Sequence, residues 1–341
     1  MQTPRNIEEL DDLVSRPTGG AMAAVEAHAG DFAVLGAGGK MGFHLTLMLQ
    51  RALKALGRND RLIAVSRFGS KSGRAPFEER GIETISADLC DAESLQQLPD
   101  VENVFFLAGV KFGTSNDSGL LQKMNIDMPT AVAKRFKKSR IVALSTGCVY
   151  SFMEPESEGP TEEDETAPPG EYAESCLGRE QAFVAGSKKH GTLSTLVRLN
   201  YAVDLRYGVL VDIAQKILAD QPVDVEMGYL NLIWQGDALA HIIQCLGVAD
   251  SPPAIRNISR KEILRVRDLA EQLGKRLGRE PNIVGTEAPT AWITNPSKSH
   301  EEFGAPKTSL DQILDWTAEW LLAEGETLGK PTHFENRDGK Y

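Results

Sequence analysis

The sequence predicts an α/β protein built on a doubly wound parallel sheet. Short apolar runs that are typical of buried strands occur at 32–35, 62–65, 82–86, 103–107, 140–144 and 194–199. Helical patterns lie between them at 40–55, 91–98, 117–137 and 172–189. A glycine-rich turn joins the first strand to the first of these helices. Apolar strands that alternate with helices indicate a parallel sheet covered on both faces.

The composition is that of an ordinary globular protein. The chain has 341 residues, of which 41% are hydrophobic and 25% are charged. A net charge of −11 argues against nonspecific nucleic-acid binding, which needs clustered Lys and Arg. We expect a cytoplasmic protein without a membrane span, because there is no long apolar run and no apolar signal core. No metal is expected, since no metal-ligand spacing joins Cys90, Cys148, Cys176 and Cys245.

The first turn between strand and helix has the composition of a diphosphate-binding site. Its residues are Gly36, Gly38, Gly39, Lys40, Met41 and Gly42. Glycines let the backbone approach phosphate groups, and the free N–H groups at the start of the helix point towards negative charge. Lys40 adds a positive charge within this turn. The turn therefore predicts a dinucleotide site.

The spacing Gly-x-x-Gly-x-x-Gly through Gly36, Gly39 and Gly42 extends this prediction to a family. Together with the strand order, it resembles the extended short-chain dehydrogenase/reductase family, which includes sugar-nucleotide epimerases and dehydratases. The resemblance covers roughly residues 31–320. It implies an NAD(P)-dependent oxidoreductase, epimerase or dehydratase that acts on a sugar, sugar nucleotide or polyol-like small molecule.

On this interpretation the chain has three parts. Residues 1–30 form an N-terminal helical arm, residues 31–200 a Rossmann-type dinucleotide-binding domain, and residues 201–341 a smaller substrate-binding portion. The acidic loop at 151–171 is either a surface connection or a lid over the site. The family resemblance also implies a homodimer.

The cofactor prediction is NADP in preference to NAD. The second strand ends at Ser66 and Arg67, where a fold selective for NAD usually carries an acid that binds the ribose hydroxyls. Ser66 removes the repulsion that such an acid would exert on an extra phosphate, and Arg67 is either a partner of that phosphate or a surface arginine. Asp88 and Leu89 match the family pair that contacts adenine, although Asp88 is also a candidate helix cap.

Two segments match the catalytic motifs of the family. Thr146, in the segment Leu144–Tyr150, takes the Ser/Thr position whose hydroxyl supports the reacting oxygen. Tyr172 takes the place of the general acid/base in Tyr-x-x-x-Lys. The lysine of that motif is replaced by Cys176, although Glu180 matches the position four residues further on. A nearby positive charge normally lowers the pKa of the phenol, so this departure bears on turnover.

Three interpretations of the missing lysine remain open. Arg179, one turn along the same helix face, supplies the charge in part. Alternatively, Lys111 supplies it from the facing loop. In the third interpretation the site binds a dinucleotide without turnover, and the protein is regulatory or a scaffold. Cys176 is itself a candidate for catalytic support.

The remaining site predictions concern the loops that follow the fourth and sixth strands. The small residues Ala108 and Gly109 allow the cofactor to lie against the backbone. Asn125 matches a family asparagine that organises this loop. The candidate substrate contacts are Lys111, Asn200, Tyr201 and Arg206.

Overall fold

A parallel sheet forms the centre of the molecule, which confirms the predicted α/β fold. The computed structural model describes residues 2–69, 71–110 and 118–337. Six strands are β1 (Phe32–Leu35), β2 (Leu62–Ser66), β3 (Glu83–Ser86), β4 (Asn103–Phe106), β5 (Arg140–Thr146) and β6 (Ser194–Leu199). A seventh strand, Ala254–Ile258, completes the sheet next to β6.

The order across the sheet is Ala254–Ile258, β6, β5, β4, β1, β2 and β3, and all neighbours are parallel. The chain runs outwards from β1 in one direction through β2 and β3, and in the other through β4, β5 and β6. The carboxyl ends of β1 and β4 therefore flank the point where the order reverses. In sheets of this kind ligands bind in the crevice at that point.

Helices cover both faces of this sheet. They are α1 (Ile7–Val14), α2 (Gly19–Ala27), α3 (Lys40–Ala55), α4 (Lys71–Glu78), α5 (Ala92–Gln97), α6 (Ser118–Gln122), α7 (Met128–Arg135), α8 (Glu171–His190), α9 (Val209–Leu218), α10 (Gln235–Gln244), α11 (Val266–Leu277), α12 (Ser297–Phe303) and α13 (Leu310–Leu322). The single helix predicted at 117–137 is interrupted by a π-helical turn, Lys123–Asp127. Among the described residues, no helix has the length and apolar character needed to cross a membrane.

The N-terminal extension packs into the body of the protein. Leu10 and Val14 on α1 and Val25 on α2 are fully buried and join the core on one face of the sheet. Asp11 lies 2.9 Å from the buried His44 of α3, measured between Oδ1 and Nε2. The arm is thereby tied to the helix that follows the glycine turn.

The part of the chain after β6 is not separate from the sheet. It supplies the seventh strand, and it also forms three pairs of two-residue strands. One pair, Ala202–Val203 with Ile233–Trp234, lies directly after β6. The predicted domain boundary at residue 200 stays a prediction. The sheet itself takes a strand from beyond that residue.

A buried ion pair attaches α8 to the sheet. Glu180 on α8 accepts hydrogen bonds from Arg198 on β6, at 3.0 Å from Nε and 2.8 Å from Nη2. The Ser145 hydroxyl on β5 donates to the same carboxylate at 2.6 Å. The Arg198 and Glu180 side chains are only 5% and 4% exposed. Removing one partner would leave a buried charge without compensation.

We therefore expect Arg198→Met to lower the free energy of unfolding by about 3–5 kcal/mol. The measurement is urea-induced unfolding of the full chain. Lys298→Met is the control, because Lys298 pairs with Glu163 on the surface, where the side chains are 41% and 71% exposed. An exposed pair contributes at most about 1 kcal/mol. Equal losses in the two variants would contradict this assignment of the buried pair.

Candidate cofactor and active site

The glycine turn after β1 is packed too closely to accept side chains. Gly36 has a φ of +91°, and a Cβ atom on it would lie 2.7 Å from the backbone nitrogen of Ala108. A Cβ atom on Gly42 would lie 2.5 Å from the carbonyl oxygen of Gly36. Helix α3 begins immediately after the N-cap Gly39. Backbone therefore packs directly against backbone where the helix starts. The resulting cradle fits a diphosphate.

Lys40 and Met41 open the helix and lie in different environments. The Nζ atom of Lys40 lies 3.3 Å from the carbonyl oxygen of Ala202 and 4.1 Å from the centre of the Tyr207 ring. Burial lowers the pKa of Lys40 to about 8. Met41 instead packs against the core. The turn thus presents one partly desolvated ammonium group.

The end of β2 lies beside this cradle. A Cβ atom on Gly38 would lie 2.7 Å from the Ser66 Oγ atom, so the hydroxyl directly faces the turn. Arg67 is exposed, and its carbonyl oxygen accepts a hydrogen bond from the Ser86 hydroxyl at 3.0 Å. Ser66 therefore contacts the turn, whereas Arg67 reaches into solvent.

The loop after β3 has the pair predicted to contact adenine. Leu89 is buried in the core, and Asp88 is exposed. The Asp88 Oδ1 atom accepts from the backbone nitrogen of Cys90 at 3.0 Å. The cap of α5 is Asp91, which accepts from Ser94, so the alternative role of Asp88 as the helix cap is wrong.

Arg179 braces the loop after β4. Its Nη1 atom donates to the carbonyl oxygen of Leu144 at 3.1 Å, and its Nη2 atom donates to Asn125 Oδ1 at 2.5 Å. The Asn125 side chain also bonds both backbone groups of Val110, as predicted for a loop-organising asparagine. A Cβ atom on Gly109 would collide with Arg179 Nη2. Gly109 therefore makes room for the guanidinium group, while the residue before it in the chain lies against Gly36.

Thr146 and Tyr172 lie at the same carboxyl edge of the sheet. Thr146 is the last residue of β5, and its Oγ1 atom accepts from the backbone nitrogen of Cys148 at 3.2 Å. Tyr172 lies in the first turn of α8 and packs in a small cluster with the buried Cys176 and Val149. The end of β5 and the start of α8 thus bring both predicted catalytic side chains to this edge.

The electrostatic surroundings of Tyr172 differ from those that lower the pKa of a phenol. Burial raises the pKa of Tyr172 well above its ordinary value, and the thiols of Cys176 and Cys148 raise it further. Arg179 opposes this shift by lowering the pKa. Burial also raises the pKa of the Cys176 thiol. Arg179 is therefore a positive charge that acts on Tyr172, although its hydrogen bonds are made to Leu144 and Asn125.

The predicted substrate residues are placed differently from one another. Asn200 is buried, and its Nδ2 atom donates to Asn231 Oδ1 at 2.6 Å. Tyr201 has a φ of +35° and packs against the cluster around Trp292. Lys111 lies outside the described residues.

Arg206 faces the N-terminal arm. Its Nη2 atom lies 3.2 Å from His44 Nε2 and 3.7 Å from Asp11 Oδ1. Its side chain is held by an ion pair and a ring nitrogen, so its contacts do not support the substrate contact predicted for it. Sequence reasoning missed this pairing because nothing in the sequence of the arm indicates which residue Asp11 meets.

Sequence reasoning also missed the segment that covers the end of β5. A Cβ atom on Gly147 would lie 2.9 Å from Thr294 Cγ2. The Trp292 Nε1 atom donates to the carbonyl oxygen of Tyr150 at 3.3 Å, and its ring stacks on Phe152 at 4.5 Å. This segment has neither periodicity nor a motif, so only its aromatic residue could have marked it. The acidic loop at 151–171 is bound here by a bridge between Met153 and Ala291.

A comparison with known protein families identifies one family whose model matches this chain. The model of the NAD dependent epimerase/dehydratase family matches residues 32–203. Among curated proteins, none matches the chain significantly.

Several solved structures share the fold. UDP-glucuronic acid 4-epimerase from Bacillus cereus, in complex with NAD, has 19% identity and a TM-score of 0.71, covering 86% of this chain and 98% of its own. UDP-glucose 4-epimerase from Thermus thermophilus, also with NAD, has 18% identity and a TM-score of 0.68, with 85% and 98% covered. The enzyme WbmG from Bordetella bronchiseptica, with NAD and UDP, has 18% identity and a TM-score of 0.72, with 89% and 99% covered.

The preference for NADP is wrong, because these similar structures hold NAD. The prediction gave weight to the charge of Arg67, yet this side chain is exposed to solvent. The hydroxyl of Ser66 lies next to Gly38 in the turn. A hydroxyl can donate to and accept from ribose hydroxyls, so an acid is not required at this position.

The glycine cradle makes a prediction for stability. We expect Gly36→Ala to lower the free energy of unfolding by about 1–3 kcal/mol more than Gly57→Ala, because only the former forces a Cβ atom into backbone. Gly57 is a matched control, since its φ is +65° and nothing lies within 4 Å of the position that a Cβ atom would take. Denaturant unfolding of both variants measures the difference, and equal losses would show that the turn is not tightly packed.

Proposed function

The chain belongs to the NAD dependent epimerase/dehydratase family, and we propose that it is an NAD-dependent epimerase or dehydratase of a nucleotide sugar. The observation that carries this proposal is the glycine cradle at the end of β1, with Thr146 and Tyr172 on the same edge of the sheet. Bound there, NAD would supply a hydride acceptor. The residues that would hold it are those of the turn, the Ser66 hydroxyl, and the backbone at Ala108.

Two side chains of this protein are proposed to transfer the proton and to stabilise the reacting oxygen. Tyr172 is the proposed general base, which accepts the proton of a substrate hydroxyl and returns it in the reverse step. Thr146 donates a hydrogen bond to the reacting oxygen and stabilises the charge that develops there. Its Oγ1 atom already accepts from Cys148 N, which leaves its hydroxyl proton free to point at the substrate.

Arg179 is the proposed source of positive charge in place of the missing lysine. It lowers the pKa of Tyr172, whereas burial and two thiols raise it. Because its guanidinium group is fixed by Asn125 and Leu144, it acts on the phenol through its electric field and does not contact the substrate. The alternative source, Lys111, stays a prediction.

A protein that binds NAD without turnover is the second candidate, and the comparisons do not favour it. Of the three similar structures described above, two are named as epimerases and the third is named as an enzyme. This chain also retains a hydroxyl at Thr146 and a phenol at Tyr172, which cofactor binding alone does not require.

The proposed substrate class rests on the neighbours and on the segment after β6. Three of the similar structures hold UDP or UDP-glucuronic acid. In this chain Tyr201 follows β6 with a φ of +35°, and a strained backbone of this kind clusters at functional sites. We include Asn200 and Tyr201 in the proposed substrate site.

Three coarser features complete the proposal. We propose a homodimer in the cytoplasm, with residues 31–200 binding the dinucleotide and residues 201–341 contributing most of the substrate contacts. The family resemblance implies the homodimer, and the match of the family model to residues 32–203 supports the assignment of the first of these two parts. Light scattering of the purified protein would test the homodimer.

The function itself is tested by incubating the purified protein with NAD and UDP-glucuronic acid or UDP-glucose, and following the sugar by NMR. We expect Tyr172→Phe to lower turnover by about 10²–10⁴-fold while NAD binding is retained, because only the proton acceptor is lost. Thr130→Val serves as a control for hydroxyl removal, since Thr130 is exposed on α7 and bonds Ile126. Full turnover in Tyr172→Phe would overturn the assignment.

The raised pKa of Tyr172 makes a prediction for pH. The base form is the phenolate, so turnover should rise with pH and show no plateau below about pH 10. Cys176→Lys should lower this pKa and move the profile to lower pH, while Arg179→Met should move it to higher pH. When the pKa moves by about 1, the phenolate fraction at pH 7 changes about tenfold, and turnover changes with it.

Two further variants control this experiment. Cys176→Ser adds no charge and should leave the profile far less changed than Cys176→Lys does. Arg179→Lys keeps a positive charge and should restore part of the profile lost in Arg179→Met. Movement of the profile in the same direction in Cys176→Lys and Arg179→Met would contradict an electrostatic role for position 179.

A further inference from the structure

The residues after α13 run back over the body of the protein. Helix α13 ends at Leu322, and the backbone nitrogen of Leu328 donates to the carbonyl oxygen of Arg206 at 2.9 Å. We call the residues from Leu328 to Arg337 the strap, and none of these described residues belongs to a helix or a strand. A segment without regular backbone pairing is held by its individual contacts, so these contacts decide where the strap lies.

Helix α9 anchors the middle of the strap. The Asp212 Oδ2 atom accepts hydrogen bonds from Thr332, at 2.8 Å from the backbone nitrogen and 2.5 Å from Oγ1. One turn further along α9, the Nζ atom of Lys216 donates to Glu335 Oε1 at 3.0 Å. Phe334, between Thr332 and Glu335, is only 3% exposed and joins the core. This part of the strap is therefore held firmly against the body of the protein.

The end of the strap lies on the apolar cluster that covers the end of β5. Arg337 donates to Thr290, at 2.6 Å from Nη1 to the carbonyl oxygen and at 2.8 Å from Nη2 to Oγ1. The guanidinium carbon lies 4.4 Å from the centre of the Phe152 ring, which stacks on Trp292. Tyr201, one of the two proposed substrate residues, packs in the same cluster. Arg337 thus lies on the wall of the proposed substrate site.

The charges of the strap reach Tyr201. Burial raises the pKa of the Tyr201 phenol, the Cys148 thiol and the Glu335 carboxylate raise it further, and Arg337 opposes the shift. A proposed substrate contact is therefore withdrawn from water and lies within the electric field of the strap. A ligand that contacts Tyr201 has to share this space with the end of the strap.

We propose that the strap closes the substrate side of the crevice in the free protein, and that a nucleotide sugar displaces its end to reach Tyr201. The moving part is the half-buried Arg337, while Thr332 and Phe334 stay attached to α9 and to the core. This inference rests on the proposed function, because it takes Tyr201 to be a substrate contact. The apparent dissociation constant of the ligand is then its intrinsic value divided by the fraction of molecules that are open.

The test is calorimetric binding of UDP-glucose and of ADP-ribose to the full chain. UDP-glucose reports on the substrate side of the crevice, and ADP-ribose, which is part of NAD, reports on the cofactor side. The variant is Arg337→Met, which removes the hydrogen bonds to Thr290. The control is Arg279→Met, which makes the same change at an arginine that is 51% exposed and pairs with Asp220. Thermal unfolding of each variant monitors the fold.

We expect Arg337→Met to bind UDP-glucose about tenfold more tightly, because the open fraction rises when charged hydrogen bonds that hold the strap are lost. ADP-ribose affinity should not change in this variant, and Arg279→Met should bind both ligands as the original protein does. Unchanged UDP-glucose affinity in Arg337→Met would overturn the inference, as would weaker binding, which would make Arg337 a contact of the ligand. Tighter binding of both ligands would also contradict it. If neither the original protein nor Arg337→Met binds UDP-glucose, the proposed function fails together with the inference.

Hydrogen exchange of the strap is an independent readout. In the original protein, UDP-glucose should raise deuterium uptake at residues 335–337, because the bound ligand displaces this part of the strap. In Arg337→Met, uptake there should already be high before the ligand is added. The buried helix α10 is the internal reference and should not change. Unchanged uptake at 335–337 would refute the displacement, and a fall in uptake would show that the strap closes over the ligand instead.

Discussion

The buried carboxylate of Glu180 is the interaction on which the geometry of the site depends. It ties α8 to β5 through Ser145 and to β6 through Arg198. Ser145 immediately precedes Thr146, and Glu180 lies two turns along the helix from Tyr172. The strand and the helix that carry the two proposed catalytic residues are thus joined by a single charged group. A buried charge needs all its partners, so the strand ends and the helix have little freedom to move apart.

Arg179, next to Glu180 on α8, holds the loop after β4 in a similar way. Its guanidinium group joins the end of β5 to Asn125 and fits beneath Gly109. One helix therefore carries the residue that ties it to the sheet, the residue that braces the loop after β4, and the proposed base. In this arrangement a positive charge acts on Tyr172 from a position that hydrogen bonds to Leu144 and Asn125 fix.

The parts of the fold that follow from local patterns could be predicted. Helix α3 begins and ends where expected, at residues 40 and 55, because glycines and apolar spacing mark it. The strand at 254–258 was missed, since Arg256 and Asn257 interrupt its apolar pattern. Their polar groups are satisfied by distant partners, among them Glu302 for Arg256 and Pro160 for Asn257. The exposure of Arg67 and the pairing of Arg206 with Asp11 likewise depend on tertiary contacts, which is why the preference for NADP was wrong and why the position of Arg206 could not be predicted.

The origin of the seventh strand affects how the chain is synthesised. Until Ala254–Ile258 has left the ribosome, β6 is an open edge whose backbone N–H and C=O groups are unpaired. A nascent chain in this state is a template for pairing with other chains. The parallel sheet therefore cannot be completed ahead of the remainder of the chain, and cotranslational folding of this protein has to wait for a late segment.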